Sequence, residues 1–500
     1  MSNVALQVIT ETRTNAEKYA QDHHQNFING AWVAAASGAT LAVVDPGRGS
    51  ELGTVAASAT ADVDHAVHAA RASFEAGAWS HAAPSNRSQT LWAIADGIAA
   101  RAQEFAEVEA LDNGMPVTAA AMHVSNAIQC FRYFAGLADK IFGHTSQIQA
   151  QGQEFLGYTV KEPIGVAALI VPWNAPLRQT VYKVAPALAA GCSVILKPAE
   201  ETSLSALKLA EVIAAAGVPA GVFNVVTGEG VPVGAALCAH DDVDKVSFTG
   251  STEVGRLIVA ASAGNLKKLT LELGGKSPLI LFGDADLHAA IPSAAMSIFG
   301  NSGQVCSAAS RLLVHRSVHD RVVEGIAAVG SRLRLGYRTD DVDLGPLISQ
   351  TQLDKVSSYV DGARVDGADV VASDQPLPAE GFFYRPTVLA GVRPAMAVNR
   401  EEIFGPVLSV LPFDEPDEAI AMANDTTYGL AASVFTRDVG LAHWVAGRLR
   451  AGRVGINVHA ITDFSMPGGG YKQSGWGREN GPAAIDPYLE VKAVFTSLAH

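Results

Sequence analysis

Two residues in this sequence could carry covalent chemistry together, Cys306 and Glu272. Cys306 lies in FGNSGQVCSAASR, residues 299–311. A thiol attacks an electrophile as its thiolate, and a free cysteine has a pKa of about 8.5. A helix N-terminus beside the sulfur is expected to favour the thiolate, and Gly300 and Gly303 let backbone approach a substrate closely. Glu272 lies in LELGGKSP, residues 271–278, between two leucines and before Gly274-Gly275. A carboxyl group in apolar surroundings has a raised pKa and can act as a base near neutrality. Each residue alone has a plainer reading, as a small buried thiol or a solvent-facing glutamate on a strand.

Three further motifs each follow an apolar run. Phe248 ends one run, Gly250 turns the chain, and Ser251 to Gly255 open a helix. This GxxxxG spacing is not the GxGxxG dinucleotide fingerprint, but the physics is similar: a glycine turn and a helix N-terminus facing a pyrophosphate. Pro172-Trp173-Asn174 ends a second run, and the Asn174 amide could donate to a developing oxyanion. Lys197-Pro198-Ala199-Glu200 ends a third. Lys197 can bind ribose hydroxyls or a phosphate. Glu200 can accept from ribose hydroxyls, a role that repels a 2′-phosphate. Taken singly, these are an ordinary turn asparagine and a surface loop.

The elements that must position these residues are legible in outline. Val166 to Val171, Ser193 to Leu196, Val222 to Val226 and Lys245 to Thr249 read as buried strands. Helices are expected at about 203–216 and 233–239, so strand and helix alternate and a doubly wound parallel sheet is predicted. Ligands in such sheets bind at the carboxyl ends of strands. A second α/β pattern runs from about Ser277 to Gly455, with strands at 278–282, 311–315 and 407–413. Upstream, FINGAWV at 27–33 predicts a hairpin. Helical spacing covers 61–76 and a single helix over 87–112, stopped by Asn113-Gly114. The polar first 25 residues are expected to be poorly ordered. The tail, 488–496, alternates like an edge strand and is expected to complete a sheet in another subunit.

The bulk numbers narrow the classes. A chain of 500 residues suggests about three domains, or two large ones. Charged residues are 17% and hydrophobic ones 48%. The charged share is well below the usual value of about 25%, which favours a large shared core and surface buried between subunits. The formal net charge of −14, with no Lys/Arg-rich run, argues against nucleic acid and anionic membranes as partners. No apolar stretch reaches the ~18 residues of a transmembrane helix, and the first 20 residues lack the apolar run of a secretory signal. Cys130, Cys192, Cys238 and Cys306 show no CxxC spacing. They read as reduced thiols of a cytoplasmic protein, with neither a disulfide framework nor a metal site.

Taken in order, the motifs resemble the aldehyde dehydrogenase superfamily, of the NAD(P)+-dependent hydrolytic type, over nearly the whole chain. The matching segments are PWN at 172–174, KPAE at 197–200, FTGSTEVG at 248–255, LELGGKSP at 271–278, GQVC at 303–306, EEIFGPV at 401–407, GINV at 455–458 and K-x-SG-x-GRE at 472–479. The resemblance implies Cys306 as nucleophile and Glu272 as general base. It implies an oxyanion hole of Asn174 and the Cys306 N–H. It implies a cleft for NAD, with NADP left open, formed by Pro172, Trp173, Lys197, Glu200, Gly230, Phe248, Gly250, Ser251, Gly255, Leu273, Glu402 and Phe404. The implied fold has a Rossmann-like cofactor domain (1–146 and 165–273), an α/β catalytic domain (274–466) and an oligomerisation element (147–164 with 485–500) that makes homodimers or homotetramers.

Departures from the family pattern bear on substrate. Ala175 stands where an aromatic residue often follows the asparagine, Gly468 replaces the aromatic of the common PFGG, and Thr462 replaces another frequent ring. Lost rings suggest a wide tunnel and a bulky aromatic or terpenoid aldehyde, with Tyr182, Phe464, Trp476, Val305 and Ser307 among its walls. Arg178, four residues after Asn174 and so on the same helix face, offers the alternative of an acidic semialdehyde, although such an arginine is more often solvated or at a subunit contact. A CoA-acylating enzyme normally lacks the base, so Glu272 opposes that rival. A non-catalytic relative is opposed by intact Cys306, Glu272 and Asn174.

Overall fold

The computed structural model describes residues 15–337 and 342–498. The signal-peptide reading therefore falls partly outside the described residues. Within the first 25 residues, a helix covers 15–21, and His23–His24 pairs with Thr54 and Val55.

Among the described residues, eight strands form the first sheet, in the order Gly475–Trp476, Lys268–Glu272, Lys245–Thr249, Val166–Ile170, Ser193–Lys197, Phe223–Val225, Asn26–Ile28 and Ala31–Val33. The five central strands are parallel. VAALI, SVILK and KVSFT are buried along their whole length because helices cover both faces, so they read as continuous apolar runs. From Val166–Ile170 the chain first builds outward on one side, through Ser193–Lys197 and Phe223–Val225. It then returns to the other side with Lys245–Thr249 and Lys268–Glu272. The strand order reverses between Val166–Ile170 and Lys245–Thr249, and a crevice opens there. FINGAWV does make a hairpin, with Asn29 (φ 54°) and Gly30 (φ 77°) at its two-residue turn, and it extends this sheet by antiparallel pairing with Val225.

A second sheet of seven strands runs Asp369–Ala372, Thr387–Ala390, Val407–Phe413, Arg311–His315, Pro278–Leu281, Ala431–Phe435, Arg453–Ile456. A third joins Thr145–Ala150, Gln153–Pro163 and Leu489–Ser497. The C-terminal strand pairs with Gln153–Pro163 of its own chain, from Leu489 opposite Pro163 to Ser497 opposite Phe155. The C-terminal strand thus completes a sheet with the hairpin near 147–161 of its own chain, the pairing that the resemblance implies. The hairpin precedes it in the same chain and supplies an unpaired edge at the right register.

The helix expected over 87–112 is two, Pro84–Ala100 and Ala102–Asn113. Arg101 leaves the helical region (φ −116°, ψ 21°), and its guanidinium is held by Glu104 at 2.8 Å and Glu211 at 2.7 Å. That tertiary ion pair has no signature in the helical spacing. Gly114 (φ 84°) ends the second helix as expected.

Candidate active site

Glu272 is the last residue of Lys268–Glu272, beside the crevice of the first sheet. Main-chain bonds fix it: its carbonyl accepts from the Gly250 N–H at 3.1 Å, and the next amide, Leu273, donates to the Ser474 carbonyl at 2.9 Å. Its side chain is buried and Oε1 has no hydrogen-bond partner. Burial, and then the negative charge of Glu479, push its pKa up to about 8, against the pull of Lys183, Arg453 and Arg478. The Lys183 ammonium is ion-paired with Glu479. Gly469 lines the same spot, where a Cβ would lie 2.9 Å from Glu272 Oε1.

Cys306 comes from the second sheet's side. Helix Leu287–Phe299 ends, and Asn301 (φ 51°), Ser302 (φ 53°) and Gly303 (φ 73°) turn the chain through left-handed backbone before the sulfur. The expected helix N-terminus is therefore not there, because Cys306 follows a helix end. The nearby start of helix Pro176–Ala190 is already satisfied by Glu109, which accepts from the Leu177 N–H at 3.1 Å. Cys306 is half-buried, and desolvation pushes its thiol up to about 11, with Arg453 and Arg178 pulling down and Glu402 and Glu272 pushing up. A thiol so placed rests protonated near neutrality and needs a base.

Asn174 is buried between these two parts. Its Nδ2 donates to the Gln304 carbonyl at 2.8 Å, and its own carbonyl accepts from Asn301 Nδ2 at 3.0 Å. The amide of Asn174 is thereby tied to the loop that carries the sulfur.

Two cavities lie along the strand-end cleft, and the inner one is lined by Cys306 and Glu272. The outer one, about 590 Å³, is lined by Pro172, Trp173, Lys197, Glu200, Gly230, Phe248 and Gly250 among others. Lys197 Nζ contacts Glu200 Oε2 at 2.8 Å, and the Gly230 N–H donates to Glu200 Oε1 at 3.3 Å. Burial opposes ionisation of Glu200, but Lys197 outweighs it and holds the carboxyl below its ordinary range. Ser251 caps helix Thr252–Ala261 by accepting from the Val254 N–H. At Gly255 a Cβ would lie 2.7 Å from Leu273, so a side chain there would push the helix off the sheet. The inner cavity, about 210 Å³, is lined by Trp173, Asn174, Ser251, Leu273, Glu402 and Phe404 as well as Glu272 and Cys306. Glu402 Oε1 accepts from the Gly275 N–H at 2.9 Å. Phe404, held at φ 60°, meets Trp173 edge-on at 5.2 Å. Strained backbone of that kind clusters at ligand clamps.

A third cavity, about 250 Å³, opens onto Cys306 and Glu272 from elsewhere. Of the expected walls, Arg178, Tyr182, Val305, Ser307, Thr462 and Gly468 line it. Ala175 does not: it is buried at the start of helix Pro176–Ala190. Phe464 does not either, and stacks behind, 6.0 Å from the Tyr182 ring and 6.4 Å from Tyr133. Arg453, His459 and Glu479 also face the cavity, and sequence reasoning missed all three as wall residues. Glu479 closes the GRE signature and Arg453 stands two residues before GINV, so both had a local signal. His459 had none. The room left at Gly468 is taken: a Cβ there would lie 3.7 Å from the Arg453 guanidinium, whose Nη1 donates to Thr462 Oγ1 at 3.1 Å. Arg453 faces the space beside Gly468, so that part of the wide tunnel inferred from missing rings has a charged wall. Arg178 is half-buried and lines the cavity, which corrects its reading as a solvated residue.

The aldehyde dehydrogenase family profile matches residues 32–494. The chain belongs to the aldehyde dehydrogenase family. That family comprises NAD-dependent oxidoreductases. This aldehyde dehydrogenase is 43% identical over 500 residues to "Putative aldehyde dehydrogenase DhaS" of Bacillus subtilis (strain 168), with both chains covered fully. It is 44% identical over 476 residues to "Aldehyde dehydrogenase 1" of Tanacetum cinerariifolium, covering 94% of this chain and 95% of that one. Among solved structures, it superposes on the NAD+ complex of aldehyde dehydrogenase from Bacillus cereus with a TM-score of 0.94 at 42% identity, over 97% of this chain and 99% of that one. Betaine aldehyde dehydrogenase from Staphylococcus aureus in complex with NAD+ gives a TM-score of 0.94 at 38% identity, over 97% of each chain. The fold of this aldehyde dehydrogenase is thus that of the family. Among the described residues there is no group of three His, Cys, Asp or Glu able to hold a metal, and no helix long and apolar enough to cross a membrane.

Proposed function

We propose that the chain oxidises a small-molecule aldehyde to its carboxylic acid with NAD, through a cysteine thioester. The observation that carries this reading is that Cys306 and Glu272 both line two cavities, the inner one continuing the strand-end cleft and the other opening separately. A cofactor and a substrate can therefore meet at the sulfur from different directions.

The cleft fits a dinucleotide. It lies outside the carboxyl ends of parallel strands at the reversal of strand order. Lys197 and Glu200 would hold the ribose hydroxyls, and Glu200 would disfavour a 2′-phosphate. Gly250 and Ser251 lie where backbone approaches a pyrophosphate, and Glu402 and Phe404 flank the inner end. When bound, a nicotinamide there supplies the hydride acceptor.

The chain's own residues then do the following. Glu272, with a free oxygen and a pKa near neutrality, takes the proton of the Cys306 thiol. The sulfur adds to the carbonyl carbon, and Asn174 Nδ2 with the Cys306 N–H donates to the oxyanion. Loss of hydride from that adduct leaves an acyl thioester. Glu272 passes that proton to solvent; its carboxylate then takes one from the water that attacks the thioester, and returns it to the departing thiolate as the acid is released.

We further assign 1–146 with 165–273 to the cofactor domain, 274–466 to the catalytic domain, and 147–164 with 485–500 to oligomerisation. Tyr158, Val491 and Phe495 leave apolar surface exposed on the third sheet, which supports a homo-oligomer. The free cysteines fit a reducing, cytoplasmic compartment.

The test is NADH formation with an aldehyde panel. Cys306→Ala is expected to abolish it. Glu272→Gln is expected to slow both thiol deprotonation and thioester hydrolysis, seen as a large fall in steady-state NADH formation. Turnover retained by Cys306→Ala refutes the reading.

A further inference from the structure

We propose that Arg178 and Arg453 form an anion subsite, so that the aldehyde carries a carboxylate remote from its carbonyl. This deepens the function proposed above and rests on it.

Both guanidinium groups line the cavity that holds Cys306. Each is half-buried, and each has its Nε buried without a hydrogen-bond partner. Among the described residues neither makes an ion pair, whereas Arg71, Arg101, Arg316 and Arg334 all do. Arg453 has one side-chain bond, to Thr462, and Arg178 lies 6.0 Å from the Tyr182 ring.

The acids in the cavity do not answer these cations. Glu479 is engaged by Lys183. Glu272 stands where burial favours its neutral form. Two half-buried cations facing one cavity without an ion-pair partner among the described residues are costly, and the fork of guanidinium N–H donors matches a carboxylate. Gly468 and Thr462, two of the three positions lacking family rings, are the ones that contact Arg453. A ring at 468 would displace it.

The inference also separates this chain from a reading in which the arginines serve only the thiolate. In that case all aldehydes would depend on them alike.

The experiment compares matched pairs: succinate semialdehyde against butanal, and para-carboxybenzaldehyde against benzaldehyde, read as NADH formation. The wild type is expected to favour the carboxylated member of at least one pair by about tenfold or more in kcat/KM, chiefly through KM. Arg453→Leu and Gly468→Phe are each expected to cut that preference at least about tenfold. Gly468→Phe keeps both arginines and tests the space alone. A wild type that turns over butanal and benzaldehyde as well as their carboxylated partners overturns the subsite and leaves the aldehyde oxidation standing. A preference that survives both substitutions also overturns it. If no aldehyde is oxidised at all, the underlying function fails and the subsite with it.

Discussion

The imidazole of His459 donates through Nε2 to the carbonyl oxygen of Ser307 at 2.7 Å. Burial lowers the imidazole pKa and keeps it neutral, so Nδ1 is left to accept from the Ser433 hydroxyl, also at 2.7 Å. Ser307 is the residue after the nucleophile, so this ring ties the Ser307 carbonyl to Ala431–Phe435 of the second sheet. His459→Phe removes the donor and leaves a buried carbonyl unpaired. A net hydrogen bond is worth about 0.5–1.5 kcal/mol, so kcat is expected to fall up to about tenfold. Steady-state kinetics with saturating NAD check it, and an unchanged kcat would show that the sulfur is held by the left-handed turn alone.

The Glu272 carboxyl, at about 8, sets the acidic, ascending limb of the rate profile. The kcat/KM is expected to rise as pH passes through that value, because only the carboxylate accepts the thiol proton. Glu479→Gln removes a neighbouring negative charge and leaves the Lys183 ammonium unpaired beside the site. Both changes favour the Glu272 carboxylate, so the limb moves to lower pH. A limb that stays in place would separate Glu272 from the observed ionisation.

The same group couples to stability. Its folded pKa, about 8, lies above its ordinary 4.5. The protonated form is therefore favoured by folding, and this contribution is present at low pH and lost as pH rises through 8. Glu272→Gln stays neutral throughout. It is expected to melt at a higher temperature than wild type at about pH 9 and to match it at about pH 5. Melting curves at the two pH values are the check.

Asn174→Ala deletes one oxyanion donor and the bond to Gln304. Loss of one such donor typically costs about 10²–10³ in rate. The fall is expected in kcat, and a change confined to KM would place Asn174 in ground-state binding instead.

Glu200→Ala frees Lys197 and removes the acceptor that repels a 2′-phosphate. The preference for NAD over NADP is expected to narrow at least about tenfold, read as kcat/KM for each cofactor.

Much of the first sheet could be read directly from the chain. VAALI, SVILK and KVSFT are apolar throughout because parallel strands are covered on both faces, and each is followed by a motif at its carboxyl end. Strands with weaker or interrupted signals, such as Thr387–Ala390 and Arg453–Ile456, went unread. The break at Arg101 was equally invisible, because no local spacing marks its pairing with Glu211 on another helix.

By itself, the sequence determined the family, the strand-end motifs and the two residues that could exchange a proton, because those signals are local patterns of residue type. The tertiary structure alone decided what surrounds them. Arg178, Arg453, His459 and Glu479 arrive from separate elements at one cavity, and the sulfur follows a helix end instead of opening a helix. Charge, burial and free volume at a point depend on segments far apart in the chain, and no spacing along the chain encodes where those segments meet.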